Sequence, residues 1–104
     1  MINYQNSIFH IMPSKDILDI KRQIEILLYL STHPGVDTSQ IIEALHINWR
    51  QVNYILNKRS EDGYVVKKRK EQLMLGGEKY DYTLTESGFT FLSELKRMIN
   101  QFEK

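Results

Sequence analysis

Arg50, Asn53, Tyr54 and Asn57 recur at three- and four-residue steps, so a helix would carry them round one side. Arg50, Tyr54 and Asn57 then lie nearly opposite an apolar stripe of Val52, Ile55 and Leu56, with Asn53 and Lys58 on the two flanks. These types suit the edges of nucleic-acid bases. A guanidinium can take guanine through two hydrogen bonds, and a carboxamide can take adenine the same way, each worth about 1–3 kcal/mol of discrimination. Tyr54 can meet a phosphate or a thymine methyl. Gln51 belongs to the same contact surface. Trp49, at the first helical position, either touches a nucleic-acid backbone or packs on the preceding helix. An ordinary solvated face would be rich in Glu and Lys, whereas this one has no acid before Glu61.

A basic run follows, Lys67-Lys68-Arg69-Lys70. Residues 46–70 hold seven basic side chains against two acidic ones, a net +5 in a chain whose total is +1. The rest of the protein is therefore acidic, and its positive charge is confined to one segment. In a strand, Lys67 and Arg69 face one way and Lys68 and Lys70 the other. Such a run suits phosphates, each of which should add about −0.9 to the log–log salt slope of binding.

The elements that position these residues can be read from period and punctuation. Residues 1–13 form an apolar extension, and one domain spans 14–104. Ser14 marks a helix start, and a helix over Lys15–Thr32 carries Ile17, Ile20, Ile24, Leu27 and Leu28 on one face, widened by Ile26 and Leu30. His33-Pro34-Gly35 ends it. A second helix starts at Asp37 or Thr38, with Asp37 and Gln40 at capping-box spacing. Its apolar side is Ile41, Ile42, Ala44 and Leu45, with Ala44 small enough for a close helix crossing. After the turn His46-Ile47-Asn48, a third helix runs to about Asp62. Asn48 is its cap, Gln51 the reciprocal partner, and Gly63 the left-handed stop. Arg59 breaks the apolar stripe, either by running along the core edge toward a phosphate or through a looser last turn. Then the period becomes strand-like. Tyr64 to the basic run and Lys79–Leu84 pair as a hairpin about Gly76-Gly77, with Tyr80, Tyr82 and Leu84 on one side. Thr85 caps the last helix.

The order helix, helix, helix, strand, strand, helix resembles the winged helix-turn-helix superfamily: a mainly α (α+β) fold with a two-stranded β-hairpin wing and a C-terminal helix. Thr38–Val65 and Tyr82-Thr83-Leu84-Thr85-Glu86-Ser87-Gly88 carry the likeness, which is similar to MarR-like and PadR-like transcriptional regulators, including small archaeal and viral ones. The resemblance implies binding of double-stranded DNA and regulation of transcription, with the third helix in the major groove and the wing on the backbone or minor groove.

The last helix places Phe91, Leu95, Met98, Ile99 and Phe102 along an apolar stripe, and the extension adds Ile8, Phe9 and Ile11. One domain of this size owns more apolar surface than it can hide, which points to a homodimer. At the hairpin tip, Leu73-Met74-Leu75 can fold back on the core, meet a second copy or wedge into a minor groove.

Other classes fit less well. Cysteine is absent, which removes thiolate metal sites and suits a cytoplasmic setting. No signal peptide or membrane span is expected. The three histidines lack metal-ligand spacing, and no phosphate loop or nucleophile elbow appears, so neither an enzyme nor a cofactor is expected. The alternatives are a winged helix that binds protein as an adaptor, and one that binds RNA through Trp49 and Tyr54.

Overall fold

The computed structural model describes residues 14–70 and 79–103. In chain order they form α1 (Ser14–Thr32), α2 (Thr38–Leu45), α3 (Trp49–Glu61), β1 (Val65–Arg69), β2 (Tyr80–Leu84) and α4 (Glu86–Glu103). Residues 1–13, the Gly76-Gly77 turn and the tip Leu73-Met74-Leu75 lie outside the described residues.

The caps form where the sequence puts them. Asp37 accepts from the Gln40 amide at 2.9 Å, and the Gln40 side chain accepts from the Asp37 amide at 2.9 Å, a complete capping box. Asn48 Oδ1 accepts the Arg50 amide at 2.8 Å. Between these helices His46 takes the left-handed conformation, φ 55°, and its N–H donates to Ile42 O at 2.8 Å. Histidine is among the residues that tolerate this region better than most. The bend drives Ile47 into the core, 4% exposed.

α3 ends in a Schellman motif. Gly63, at φ 83°, donates to Ser60 O, and Tyr64 donates to Arg59 O at 2.9 Å, which satisfies two carbonyls the helix would otherwise leave open. The last turn is therefore regular. Arg59 lies along the core edge, over Phe91, which packs against the core. Its guanidinium lies 5.1 Å from the Phe91 ring centre and Nη2 is 3.3 Å from Asp62 Oδ2. Phe91 in turn stacks on Tyr64 at 4.3 Å, so a cation–π contact substitutes for the missing apolar residue.

β1 and β2 pair antiparallel, with Val65 opposite Leu84, Lys67 opposite Tyr82 and Arg69 opposite Tyr80. Val65, Tyr82 and Leu84 turn inward. A one-residue bridge adds Val36 to the free edge of β2: Tyr82 N–H donates to Val36 O at 2.8 Å, and Gly35 N–H to Tyr82 O at 3.1 Å. This bridge ties the hairpin to the lead-in of α2.

The turn from β2 into α4 is close-packed. Thr85 Oγ1 donates to Gly63 O at 2.8 Å and accepts the Gly88 amide at 3.0 Å, the expected cap. A Cβ on Gly88 would lie 2.1 Å from Tyr64 O, so only glycine fits where α4 crosses the end of the α3 turn.

The core joins Ile26, Leu27 and Leu30 of α1, Ile41 of α2, Val52, Ile55 and Leu56 of α3, and Leu92 and Leu95 of α4. Each fully buried side chain contributes about 1.5–3 kcal/mol. Two expected core residues are not there. Ala44 is exposed; it lies about 80° round the helix from the centre of the Ile41–Leu45 stripe, on the side away from Ile42. Leu28 is 44% exposed, because α1 packs against α4, β2 and α2 and its buried face is centred on Ile26, Leu27 and Leu30. Among the described residues no helix is long and apolar enough to cross a membrane.

Candidate nucleic-acid interface

α3 buries Val52, Ile55 and Leu56 and turns its other side to solvent. Trp49 is 57% and Tyr54 63% exposed. The exposed side divides into two flanks, each bordering a cleft. The first cleft, about 470 Å³, lies between α3 and the hairpin. Trp49, Asn53 and Asn57 line it from α3, Lys67, Lys79 and Tyr80 from the hairpin, and Asp37, Thr38 and Ser39 from the start of α2. The second, about 580 Å³, lies between α3 and α1. Arg50, Gln51, Tyr54 and Ile55 face Asp19, Ile20 and Gln23 across it. The 100° step of the helix accounts for this division: residues 49, 53 and 57 lean one way and 51, 54 and 55 the other.

Local packing holds several of these groups. The Arg50 guanidinium sits 5.8 Å from the Trp49 ring centre. Lys67 Nζ lies 4.1 Å from the Tyr80 ring centre, a cation–π contact that aims the ammonium along the cleft wall. Gln51 does not complete a capping box. Its Nε2 donates to Asp19 Oδ1 at 3.1 Å, fastening the first turn of α3 to α1. The Tyr82 hydroxyl, at the cleft floor, is pushed up from its ordinary value by burial, with its hydrogen bond to Thr38 working in the opposite direction.

Of the residues expected at the interface, the structure therefore gathers Trp49, Asn53, Asn57 and Lys67 in one cleft, and Arg50, Gln51 and Tyr54 beside the other. Lys58 is exposed and lines neither cleft. Lys68 and Arg69 are exposed on opposite faces of β1. Lys70 Nζ lies 3.2 Å from Asp81 Oδ1 and 3.8 Å from Asp37 Oδ2. Thr38, Ser39, Lys79 and Tyr80 join the first cleft without having been singled out. Hydroxyl residues directly after a cap hinted at the first two, and the hairpin register, which brings in the others, is not set by the strand sequences alone.

Along α4, Leu95 and Ile99 are each 7% exposed within the single chain, so they serve its own core. Phe91 is half-buried against Tyr64. Phe89, 47% exposed, and Met98, 36% exposed, remain at the surface. Ile8, Phe9, Ile11 and the Phe102 side chain are outside the described residues. Among the described residues no cluster of His, Asp or Glu could hold a metal ion.

No protein-family model matches the chain, and no curated protein matches it. Solved structures do. A PadR-like transcription factor from Bacteroides fragilis superposes with a TM-score of 0.71 at 21% identity, over 86% of this chain and 89% of that one. A MarR transcriptional regulator from Methanosarcina mazei Go1 gives 0.59 at 22% identity, over 78% of this chain and 56% of that one. Streptococcus pneumoniae FabT, solved in complex with DNA, gives 0.58 at 22% identity, over 78% and 55%. The chain thus spans nearly all of the PadR-like protein and about half of the MarR-type ones. Among the described residues, four helices around a two-stranded antiparallel hairpin, superposable on these proteins, identify the chain as having the winged-helix fold of the PadR-like and MarR-family transcription regulators.

Proposed function

We propose that the chain is a sequence-specific double-stranded DNA-binding protein that regulates transcription as a homodimer in the cytoplasm. The supporting observation is the first cleft, where Trp49, Asn53 and Asn57 of α3 face Lys67 and Lys79 of the hairpin. Its polar and basic lining suits a phosphodiester strand running between the helix and the wing. On this reading α3 enters the major groove, with Arg50 and Tyr54 on its outer ridge contacting base edges and Asn53 and Asn57 working nearer the backbone. Lys67, Lys68 and Arg69 of the wing supply charge to the backbone or the minor groove. Regulators of the same fold have been solved on DNA, FabT and CouR among them, which supports the assignment.

For the dimer, the exposed Phe89 and Met98 of α4, together with Ile8, Phe9, Ile11 and Phe102 in the sequence, supply the apolar surface. A two-fold pair would set its two α3 helices about 34 Å apart on a pseudo-palindromic site.

Fluorescence anisotropy against duplexes selected from a random pool tests both parts. Arg50→Ala should erase the preference for the selected duplex over a scrambled one. Lys68→Ala should weaken all duplexes alike. Light scattering should give twice the chain mass, and a strict monomer at high concentration would remove the dimer from the proposal.

A further inference from the structure

Four consecutive basic residues invite one role for all four. We propose instead that Lys70 is a positioning residue: it fixes the angle of the wing against the first turn of α2 and does not meet the DNA backbone. This rests on the DNA-binding assignment for its binding consequence only, because the positioning itself is a property of the free protein.

The geometry gives Lys70 two anionic neighbours on two different elements. Its ammonium is 3.2 Å from Asp81 Oδ1 on β2 and 3.8 Å from Asp37 Oδ2 before α2. The Asp37 side chain is 13% exposed and that of Asp81 26%, so both carboxylates have lost much of their water and need a cation. Asp37 divides its work between its oxygens. Oδ1 accepts the Gln40 amide that caps α2, and Oδ2 faces Lys70. The backbone of Lys70 is fixed too, donating to Lys79 O at 2.7 Å. One side chain thus links the end of β1, the start of β2 and the cap of α2.

This link lies close to the Val36–Tyr82 bridge, the other tie between hairpin and helix-turn-helix. Together they set how far the wing stands from α3, and hence the width of the cleft lined by Asn53, Asn57 and Lys67. A phosphate that recruited Lys70 would have to take it from two carboxylates and leave the largely buried Asp37 without its cation, which is costly. It would also bring a polyanion up to two acids that had given up this cation. Lys67, three residues earlier, rests on an aromatic ring and lines the cleft; it is a wing cation placed to serve DNA.

The test has two arms, using Lys70→Met with Lys68→Met and Lys67→Met as comparators. The first is amide hydrogen exchange of the free protein by NMR. Lys70→Met should speed exchange of the Gly35 and Tyr82 amides, which hold the bridge, by roughly threefold to fivefold, and Lys68→Met should leave them alone. The second is duplex affinity against salt. Lys67→Met should make the log–log slope shallower by about 0.9, one phosphate lost. Lys70→Met should weaken binding with the slope unchanged, and adding Asp81→Asn should restore part of the loss. Unchanged exchange in Lys70→Met, or a slope shallower by about 0.9, overturns the proposal. If the wild type binds no duplex, the DNA assignment fails by itself and the exchange arm still decides the role of Lys70.

Discussion

The two ends of α3 are built on different principles. At the C-terminal end everything is fixed several times over: Gly63 in the left-handed region, two Schellman hydrogen bonds, Arg59 and Tyr64 against Phe91, and α4 crossing so closely that Gly88 admits no Cβ. At the N-terminal end, hydrogen bonds from the Arg50 amide to Asn48 and from Gln51 to Asp19 hold the first turn, and Trp49 and Arg50 stand in solvent. The difference separates two jobs. Stability is concentrated where the helix meets the wing and α4, and the side chains suited to contact a partner are carried at the end least committed to the core. Substitutions at the C-terminal end should therefore change folding, and those at the N-terminal end should change recognition.

The largest effect should come from Gly88→Ala. The new methyl would collide with Tyr64 O, a backbone atom that cannot swing away, and the loss should be about 3 kcal/mol in urea unfolding. Gly63→Ala, strained by its positive φ but with open space around it, should cost less, about 1–2 kcal/mol. Asn48→Ala removes one cap at the other end and should cost about 1 kcal/mol. Its effect on duplex binding should exceed that of Gly63→Ala when both are compared fully folded. If Gly63→Ala proves the more harmful to binding, the division between the ends is wrong.

Tyr82, at the floor of the first cleft and hydrogen-bonded to Thr38, adds a pH-dependent test of the hairpin's own packing. Its hydroxyl is held above the ordinary 10.0, first by burial. A folded value above the unfolded one means this contribution is complete below that pH and fades as pH rises through the folded value. Alkaline titration should loosen the wild type more than Tyr82→Phe, as followed by near-ultraviolet circular dichroism. Equal loss in both would show that the hydroxyl's burial does not matter to stability.

The same contrast explains what the sequence revealed. Caps and stops are local chemistry, so Asp37 with Gln40, Asn48, Gly63 and Thr85 could be placed from neighbours three residues away. The stripe Val52, Ile55, Leu56 and the alternation Tyr80, Tyr82, Leu84 follow from period alone. What could not be read depends on distant partners. Gln51 has a plausible local partner in Asn48 but finds Asp19, 32 residues away. Leu28 and Ala44 look apolar enough for the core, but the angle at which neighbouring elements cover α1 and α2 leaves them outside. Alternation divides the basic run into two faces, but nothing in the run shows that Asp37 and Asp81 converge on Lys70. The His46 bend and the Val36 bridge are products of the assembled fold.

The central claim, that this winged helix reads duplex DNA through the front of α3, is tested most directly by a salt-resolved binding titration of wild type and Arg50→Ala. Both proteins should bind duplex more weakly as salt rises, with log–log slopes near −0.9 for each phosphate neutralised. The wild type should prefer its selected duplex over a scrambled one, and Arg50→Ala should lose that preference by about 1–3 kcal/mol while unfolding within about 0.5 kcal/mol of wild type. Absence of duplex binding by the wild type at roughly 50 mM salt, or an Arg50→Ala protein that discriminates as well as the wild type, would contradict it.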